Sequence, residues 1–383
     1  MLYQQIIFYF ILAIFINTLL NLRALRKPKK DCHLPDPAPL ISILVPARNE
    51  EANIGDCIRS LQHQDYPNFE VIVLDDSSCD QTLNIVAEIA KKDSRVRLIK
   101  GEPLPPEWAG KPFACHQLAQ QAKGSWFLFA DADTVLSPSA LHQVLCTAID
   151  SNAALISGFP HQQHSSIWQK MAMPVFFYFL LICSIPLWLI QRLPNGSYPI
   201  AVGQFMFFSA REYWSIGGHE SVRTRVIEDV ALGKEIAANK YKHVTLDLSS
   251  LVSCRMYQDF GTMWDGVGRW LVPVASASFV GLLAAILAVF FIFLAPFLWL
   301  AYGLLIANPT FFWHLVVLLQ VLVILVTRYI AGRRFSQPFI CTFLHPLGIC
   351  FMLIAGVYAY YRYINGDHIS WKERIYNVRS QIP

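Results

Sequence analysis

From Trp270 to Thr327 the chain runs for 58 residues without an Asp, Glu, Lys or Arg. A soluble core has no use for so long an uncharged stretch, whereas one bilayer crossing takes about 20 apolar residues. The run is interrupted only around Asn308-Pro309-Thr310, a turn signal. It therefore predicts two crossings joined by a short loop. A second uncharged run, Ile6 to Leu22, is followed at once by Arg23, Arg26, Lys27, Lys29 and Lys30 and has no small-residue cleavage site. It reads as an anchor, and its flanking charge puts the following domain in the cytoplasm. A third, Pro338 to Tyr361, follows Arg328, Arg333 and Arg334, which the same bias reads as a cytoplasmic basic loop. If this run crosses, the tail with Lys372, Arg374 and Arg379 emerges on the far side; if it is re-entrant or interfacial, the tail stays with the globular domain. Met171 to Ile190 is also uncharged, but it carries Pro174 and Pro186 and lies inside a soluble region. It is read as a membrane-associated insertion dipping from the surface, with a buried core helix as the alternative.

The 383 residues are 54% hydrophobic and only 15% charged, with a mean hydropathy of +0.38, which leaves room for one globular domain beside the apolar segments. The net charge of +4 is small and the aromatics sit in apolar runs, so no nucleic-acid partner is expected. Nine cysteines without a C-x-x-C pair argue for a reducing compartment and against structural zinc. His161 and His164 lack further ligands at metal spacing. The division that follows is an anchor and linker at 1–38, a globular domain at 39–270 with its apolar insertion near 171–190, and C-terminal membrane segments with a short basic tail at 271–383.

In the globular part, apolar runs at Ile41 to Ala47, Phe69 to Asp76, Val96 to Lys100 and Ser125 to Asp131 read as strands. Helical stretches at Glu51 to His63, Thr82 to Lys92 and Pro112 to Lys123 separate them. That alternation predicts an α/β fold with a mainly parallel sheet, whose ligand crevice lies beyond the carboxyl ends of its strands. No glycine-rich phosphate loop stands at those ends. They carry Arg48, Asn49 and Glu50, then Asp75 and Asp76, then Asp131 and Asp133. Two carboxylates one residue apart suit a divalent cation holding phosphate oxygens. A single such pair is equally an Asx turn before a helix, and it is the second acidic strand end that favours the metal.

These residues resemble membrane-anchored family 2 glycosyltransferases with the glycosyltransferase-A, Rossmann-like fold. The matching pieces are VPARNEEANI (Val45 to Ile54), VLDDSSCDQT (Val73 to Thr82), GKPFACHQLAQQAKGSWFLFADADT (Gly110 to Thr134) and IEDVALGKEI (Ile227 to Ile236). The later order CRMYQDF (Cys254 to Phe260), HPL (His345 to Leu347) and WKERIY (Trp371 to Tyr376) is similar to the subgroup that glycosylates carotenoids and related isoprenoid lipids. The resemblance implies an inverting transferase of a bacterial inner membrane. It would move one sugar from a nucleotide-sugar, of the UDP-hexose kind, to a hydrophobic acceptor in the bilayer, with Mg²⁺ or Mn²⁺ as cofactor.

By the same resemblance, Ala47, Arg48 and Glu50 border the base and ribose, and Asp76 with Asp75 recognises the base. Asp131 and Asp133 hold the metal on the sugar diphosphate. Lys111 either reaches the phosphates or is a solvated loop cation. A hydroxyl acceptor also requires a base. Asp229 is assigned that role with Glu228 as its orienter or an acceptor contact, against the plain alternative of two acids at a helix start. Gly217-Gly218-His219 forms a flexible acceptor-side turn in which His219 touches acceptor or phosphate, or is a surface histidine. Arg269 and Trp270 stand where processive polysaccharide synthases carry Q-x-x-R-W, but Gly266 replaces the glutamine, which favours single-sugar transfer. The competing readings are a polyprenyl-phosphate glycosyltransferase, which needs no base, a polysaccharide synthase, which needs a polar channel these segments lack, and a non-catalytic membrane scaffold, against which Asp76, Asp131, Asp133 and Asp229 argue.

Overall fold

The computed structural model describes residues 2–176, 181–190, 200–225, 227–257, 259–306, 309–365, 368–372 and 374–377. The strands that place the site are β1 (Ile41–Ala47), β2 (Phe69–Asp75), β3 (Val96–Lys100), β4 (Trp126–Ala130), β5 (Thr134–Leu136), β6 (Leu155–Phe159), β7 (His161–Gln162), β8 (Phe205–Ser209), β9 (His243–Asp247) and β10 (Val252–Cys254). Seven of them form one sheet in the order β3-β2-β1-β4-β8-β6-β9, and β5-β10-β7 form a smaller one. β1 to β4 pair parallel, β8 runs antiparallel to β4 and β6, and β6 pairs parallel with β9.

β1 is apolar at nearly every position because both of its faces are covered. Ile41, Ile43 and Val45 point to one core with α2 (Ile54–Gln62) and α5 (Ala140–Ser151), and Leu44 points to the other with α4 (Gly110–Gln121). α2 starts three residues after the expected Glu51. Asn49 takes a left-handed φ of 52°, and the N–H groups of Glu50 and Glu51 go to Thr82 Oγ1 and Asp80 Oδ2 instead of opening a helix. The register sets Ala47 opposite Asp75, so β1 and β2 end level, and Leu44 opposite Phe129, so β4 ends two residues earlier at the same edge of the sheet.

Four helices are long and apolar enough to cross a bilayer: α1 (Leu2–Ala24), Phe279–Leu305, Phe311–Arg334 and His345–Ile364. On α1, Asn17 donates to the Cys183 carbonyl at 2.9 Å, and Asn21 to the Ile182 and Ile185 carbonyls at 2.5 and 2.6 Å. Met171, Ala172, Met173 and Val175 are buried beneath Ile349 and Met352 of the last long helix. The insertion is therefore core of the membrane-side bundle, the alternative to a surface-dipping segment; its residues 177–180 lie outside the described ones.

Contacts fix the side on which each helix ends. Arg334 Nε lies 2.8 Å from Asp247 Oδ2 at the end of β9, and its Nη2 donates to the Leu25 carbonyl. His161 Nδ1 lies 3.2 Å from the Phe335 carbonyl oxygen, which occupies that histidine with a backbone contact. After Ile364 the chain forms a hairpin, β11 (His368–Trp371) and β12 (Arg374–Asn377), that bonds to the globular domain through Lys372 and Arg374. Both flanks of His345–Ile364 thus lie on the globular side, so this helix makes no net crossing. It packs along Phe260–Ala277 through Phe351 and Tyr358 on Trp264, and turns Leu347, Ile354, Val357 and Tyr361 outward.

Two sequence expectations change. Arg328 is buried inside Phe311–Arg334 rather than in a basic loop. Cys32 and Cys146 form a disulfide that ties the linker after α1 to α5, where nine reduced cysteines were expected; no residue pattern flagged this pair, whose partners are 114 residues apart.

Candidate active site

Beyond the strand ends lies a cavity of about 510 Å³. Ala47, Arg48 and Glu50 after β1, Asp76 after β2, Lys111 at the start of α4, and Asp131 and Asp133 after β4 all line it. Asp75 does not. Consecutive strand residues point to opposite faces, and Asp75 turns away to accept the Ser78 N–H at 3.3 Å. Asp76 is the one of the pair that lines the cavity; Asp75 is buried behind it, with its Oδ1 unpartnered among the described residues.

Asp131 and Asp133 share one wall. Burial, then Asp131 and Glu50, push the Asp133 carboxyl up to about 7. Its Oδ1 is buried without a hydrogen-bond partner among the described residues. A buried carboxylate oxygen held beside a second carboxylate is a donor set that a divalent cation satisfies. No group of three or more metal-ligating side chains exists among the described residues, so the remaining ligands of such a cation would have to be phosphate oxygens and water.

Lys111 is not a solvated loop cation. Its Nζ stands 2.7 Å from Asp131 Oδ1 and 2.9 Å from Glu228 Oε1. Burial works against its charge, but Asp131 and Glu228 outweigh that and hold it well above the usual lysine range. Glu228 and Asp229 open the helix Glu228–Ala238 and are almost fully buried. Asp229 Oδ2 accepts the Gly203 N–H at 2.7 Å and Oδ1 its neighbour Val230 N–H at 2.8 Å. Burial, then Glu228, push its carboxyl up to about 7. Neither acid is part of the cavity lining, and Lys111 links them to it.

His219 is buried and does not line the cavity. Gly217 and Gly218 take φ of 82° and 52°, a path only glycine follows easily, and this turn carries the imidazole inward. There it bonds the Tyr213 hydroxyl at 2.8 Å and packs on Phe129. Burial, then Lys111, hold it well below the ordinary histidine range. The acceptor-side role given to His219 is thereby corrected to a core role. Trp270 packs against Phe176 on the membrane side, and the side chain of Arg269 lies outside what the structure describes.

Sequence reasoning missed Gln204, Arg255, Met256, Tyr257, Asp265 and Lys372, which also line the cavity. Three of these belong to CRMYQDF and one to WKERIY, so the signal was a motif to which no role had been attached. Met256 and Tyr257 lead directly into Phe260–Ala277, which runs into the membrane-side bundle.

Residues 42–214 match the family model described as Glycosyl transferase family 2. The chain carries a family 2 glycosyltransferase domain, and its mainly parallel sheet is that of the glycosyltransferase-A fold. It is 26% identical over 250 residues to the 4,4'-diaponeurosporenoate glycosyltransferase of Staphylococcus aureus, a match spanning 64% of this chain and 64% of that protein. Among solved structures it is similar in fold to a mannosyltransferase from Pyrobaculum calidifontis in complex with GDP-Man and Mn2+, with a TM-score of 0.51 and 18% identity, covering 94% of this chain and 99% of that one.

Proposed function

We propose that this chain transfers a single sugar, with inversion, from a nucleotide-sugar to a hydrophobic acceptor held in the membrane, an isoprenoid lipid of the carotenoid kind. One observation carries the reading: the cavity that gathers Asp76, Asp131 and Asp133 is also lined by Met256, Tyr257, Thr262 and Asp265, at the start of a helix of the membrane-side bundle. A polar donor and an apolar acceptor then meet in one place. The activity of the Staphylococcus aureus relative points to the same acceptor class.

In this reading Arg48, Glu50 and Asp76 hold the nucleotide, and Asp131 and Asp133 hold Mg²⁺ or Mn²⁺ on its diphosphate. The bound cation would neutralise charge that develops on the leaving group. Lys111 must give up Asp131 as that site fills, and its ammonium is then free to donate to a phosphate oxygen. Asp229 takes the acceptor proton, since a carboxylate titrating near 7 is matched to general-base work at neutral pH. Glu228 stays paired with Lys111 and orients it. The basic flank of the first anchor, two arginines and three lysines, supports a cytoplasmic catalytic domain in a bacterial inner membrane.

The test is mass spectrometry of lipid extracts from cells carrying the wild-type chain or Asp133→Ala. A lipid heavier by one hexose should appear only with the wild type. Equal amounts of it in both strains, or its absence from both, would defeat the proposal.

A further inference from the structure

The hairpin that follows the last long helix lies against the nucleotide wall of the cavity. Arg374 grips Asp76 as a fork, Nη1 to Oδ2 at 2.5 Å and Nη2 to Oδ1 at 2.7 Å. Lys372, at the hairpin turn with φ 48°, donates its ammonium to the Asn49 carbonyl at 2.9 Å and to Glu50 Oε1 at 2.8 Å. Its own carbonyl accepts Arg48 Nε at 2.9 Å. Arg48, Glu50 and Asp76 are thus each tied to a residue more than 290 positions away, and Lys372 is part of the cavity wall.

Charge explains why a tail should be used this way. The cavity is lined by Glu50, Asp76, Asp131, Asp133 and Asp265 against Arg48, Lys111, Arg255 and Lys372, and a sugar diphosphate is itself polyanionic. Without Lys372 and Arg374 the acids outnumber the cations facing the ligand, and such a wall repels it. The Arg374 and Asp76 side chains are only 17% and 11% exposed, so the pair is shielded from solvent and escapes the weakness of surface ion pairs. A carboxylate has about four acceptor sites and the fork takes two. Asp76 is thereby fixed in plane, with acceptor sites left for a base N–H.

Resting on the reading of this cavity as a nucleotide-sugar site, we infer that the C-terminal hairpin is a wall of that site. Arg374 positions Asp76 for the base, and Lys372 supplies a cation to the ribose and diphosphate side. The donor pocket is then complete only when the chain has returned from the membrane to its own catalytic domain.

The test uses full-length protein in nanodiscs, with UDP and GDP plus Mn²⁺ as calorimetric probes. Arg374→Gln should weaken the preferred nucleotide by about tenfold, the equivalent of about 1.4 kcal/mol, with Arg374→Lys intermediate because a point charge replaces the fork. Lys372→Gln should weaken it in the same direction. In turnover the loss should fall on the donor KM rather than on kcat. Arg374→Gln with unchanged affinity overturns the inference. So does tighter binding, since the hairpin would then be a plug; a stop after Asn365 should agree in sign. If the wild type binds neither nucleotide, the nucleotide reading falls and the hairpin role with it.

Discussion

Titrating the transfer rate between pH 5.5 and pH 8.5 isolates Asp229. Its carboxyl is pushed up to about 7 by burial and by Glu228, while Lys111 and the N–H groups of Val230 and Gly203 pull it down. A base works only when ionised. For a group titrating near 7, roughly one molecule in eleven is ionised at pH 6 and roughly ten in eleven at pH 8, so kcat should rise about tenfold across that interval. Asp133 titrates in the same range. The measurement is therefore made at saturating Mn²⁺ and donor, where a bound cation keeps that carboxylate deprotonated. Lys111 supplies the internal control. Removing its charge with Lys111→Gln takes away a cation that favours ionised Asp229, so the acidic limb must move to higher pH as the rate falls. The assay is radiolabelled sugar incorporation into extracted lipid. A flat wild-type profile, or a Lys111→Gln limb that stays put or moves to lower pH, refutes the assignment of Asp229 as base.

Two further substitutions test the architecture. His219→Ala removes the 2.8 Å bond to Tyr213 and the packing on Phe129, and should cost about 2–3 kcal/mol of stability, seen as a lower melting temperature. Nucleotide affinity should stay within about twofold; a large loss of affinity at unchanged melting temperature would return His219 to the site. Gly348→Val places a Cβ 2.4 Å from the Met171 carbonyl oxygen and 2.6 Å from Val175, and overpacking there should cost about 1–3 kcal/mol. Unaltered melting in detergent would contradict the docking of the 167–176 segment under the last long helix.

The parallel half of the sheet was legible because β1, β2 and β4 are buried on both faces and so read as unbroken apolar runs. The acids were legible because strand ends in such sheets face the crevice, and because Asp76, Asp131 and Asp133 are polar residues directly after apolar ones. Position along a strand did not distinguish Asp75 from Asp76; only the tertiary contacts do, with Asp75 accepting the Ser78 N–H and Asp76 lining the cavity. His219 was misplaced for a related reason. Two glycines in a row suggest a flexible exposed turn, whereas here their positive φ values bend the chain so that the histidine enters the core.

The basic tail shows how a charge rule and a tertiary contact can compete for the same residues. Counted as flanking cations, Lys372 and Arg374 left open on which side of the membrane the tail emerges. In the fold both are neutralised locally, one by Glu50 and one by Asp76, and that pairing decides the side. A hairpin bonded to β1 and β2 strand ends cannot be separated from them by a bilayer. The helix before it, though long enough to span, must therefore return to the side it left. Its apolar outer stripe of Leu347, Ile354, Val357 and Tyr361 then belongs to lipid contact near the membrane surface, while its other face packs on the helix Phe260–Ala277, whose Thr262 and Asp265 line the cavity. The same acidic strand ends that would bind the donor thus also set the membrane topology of the chain's last segment.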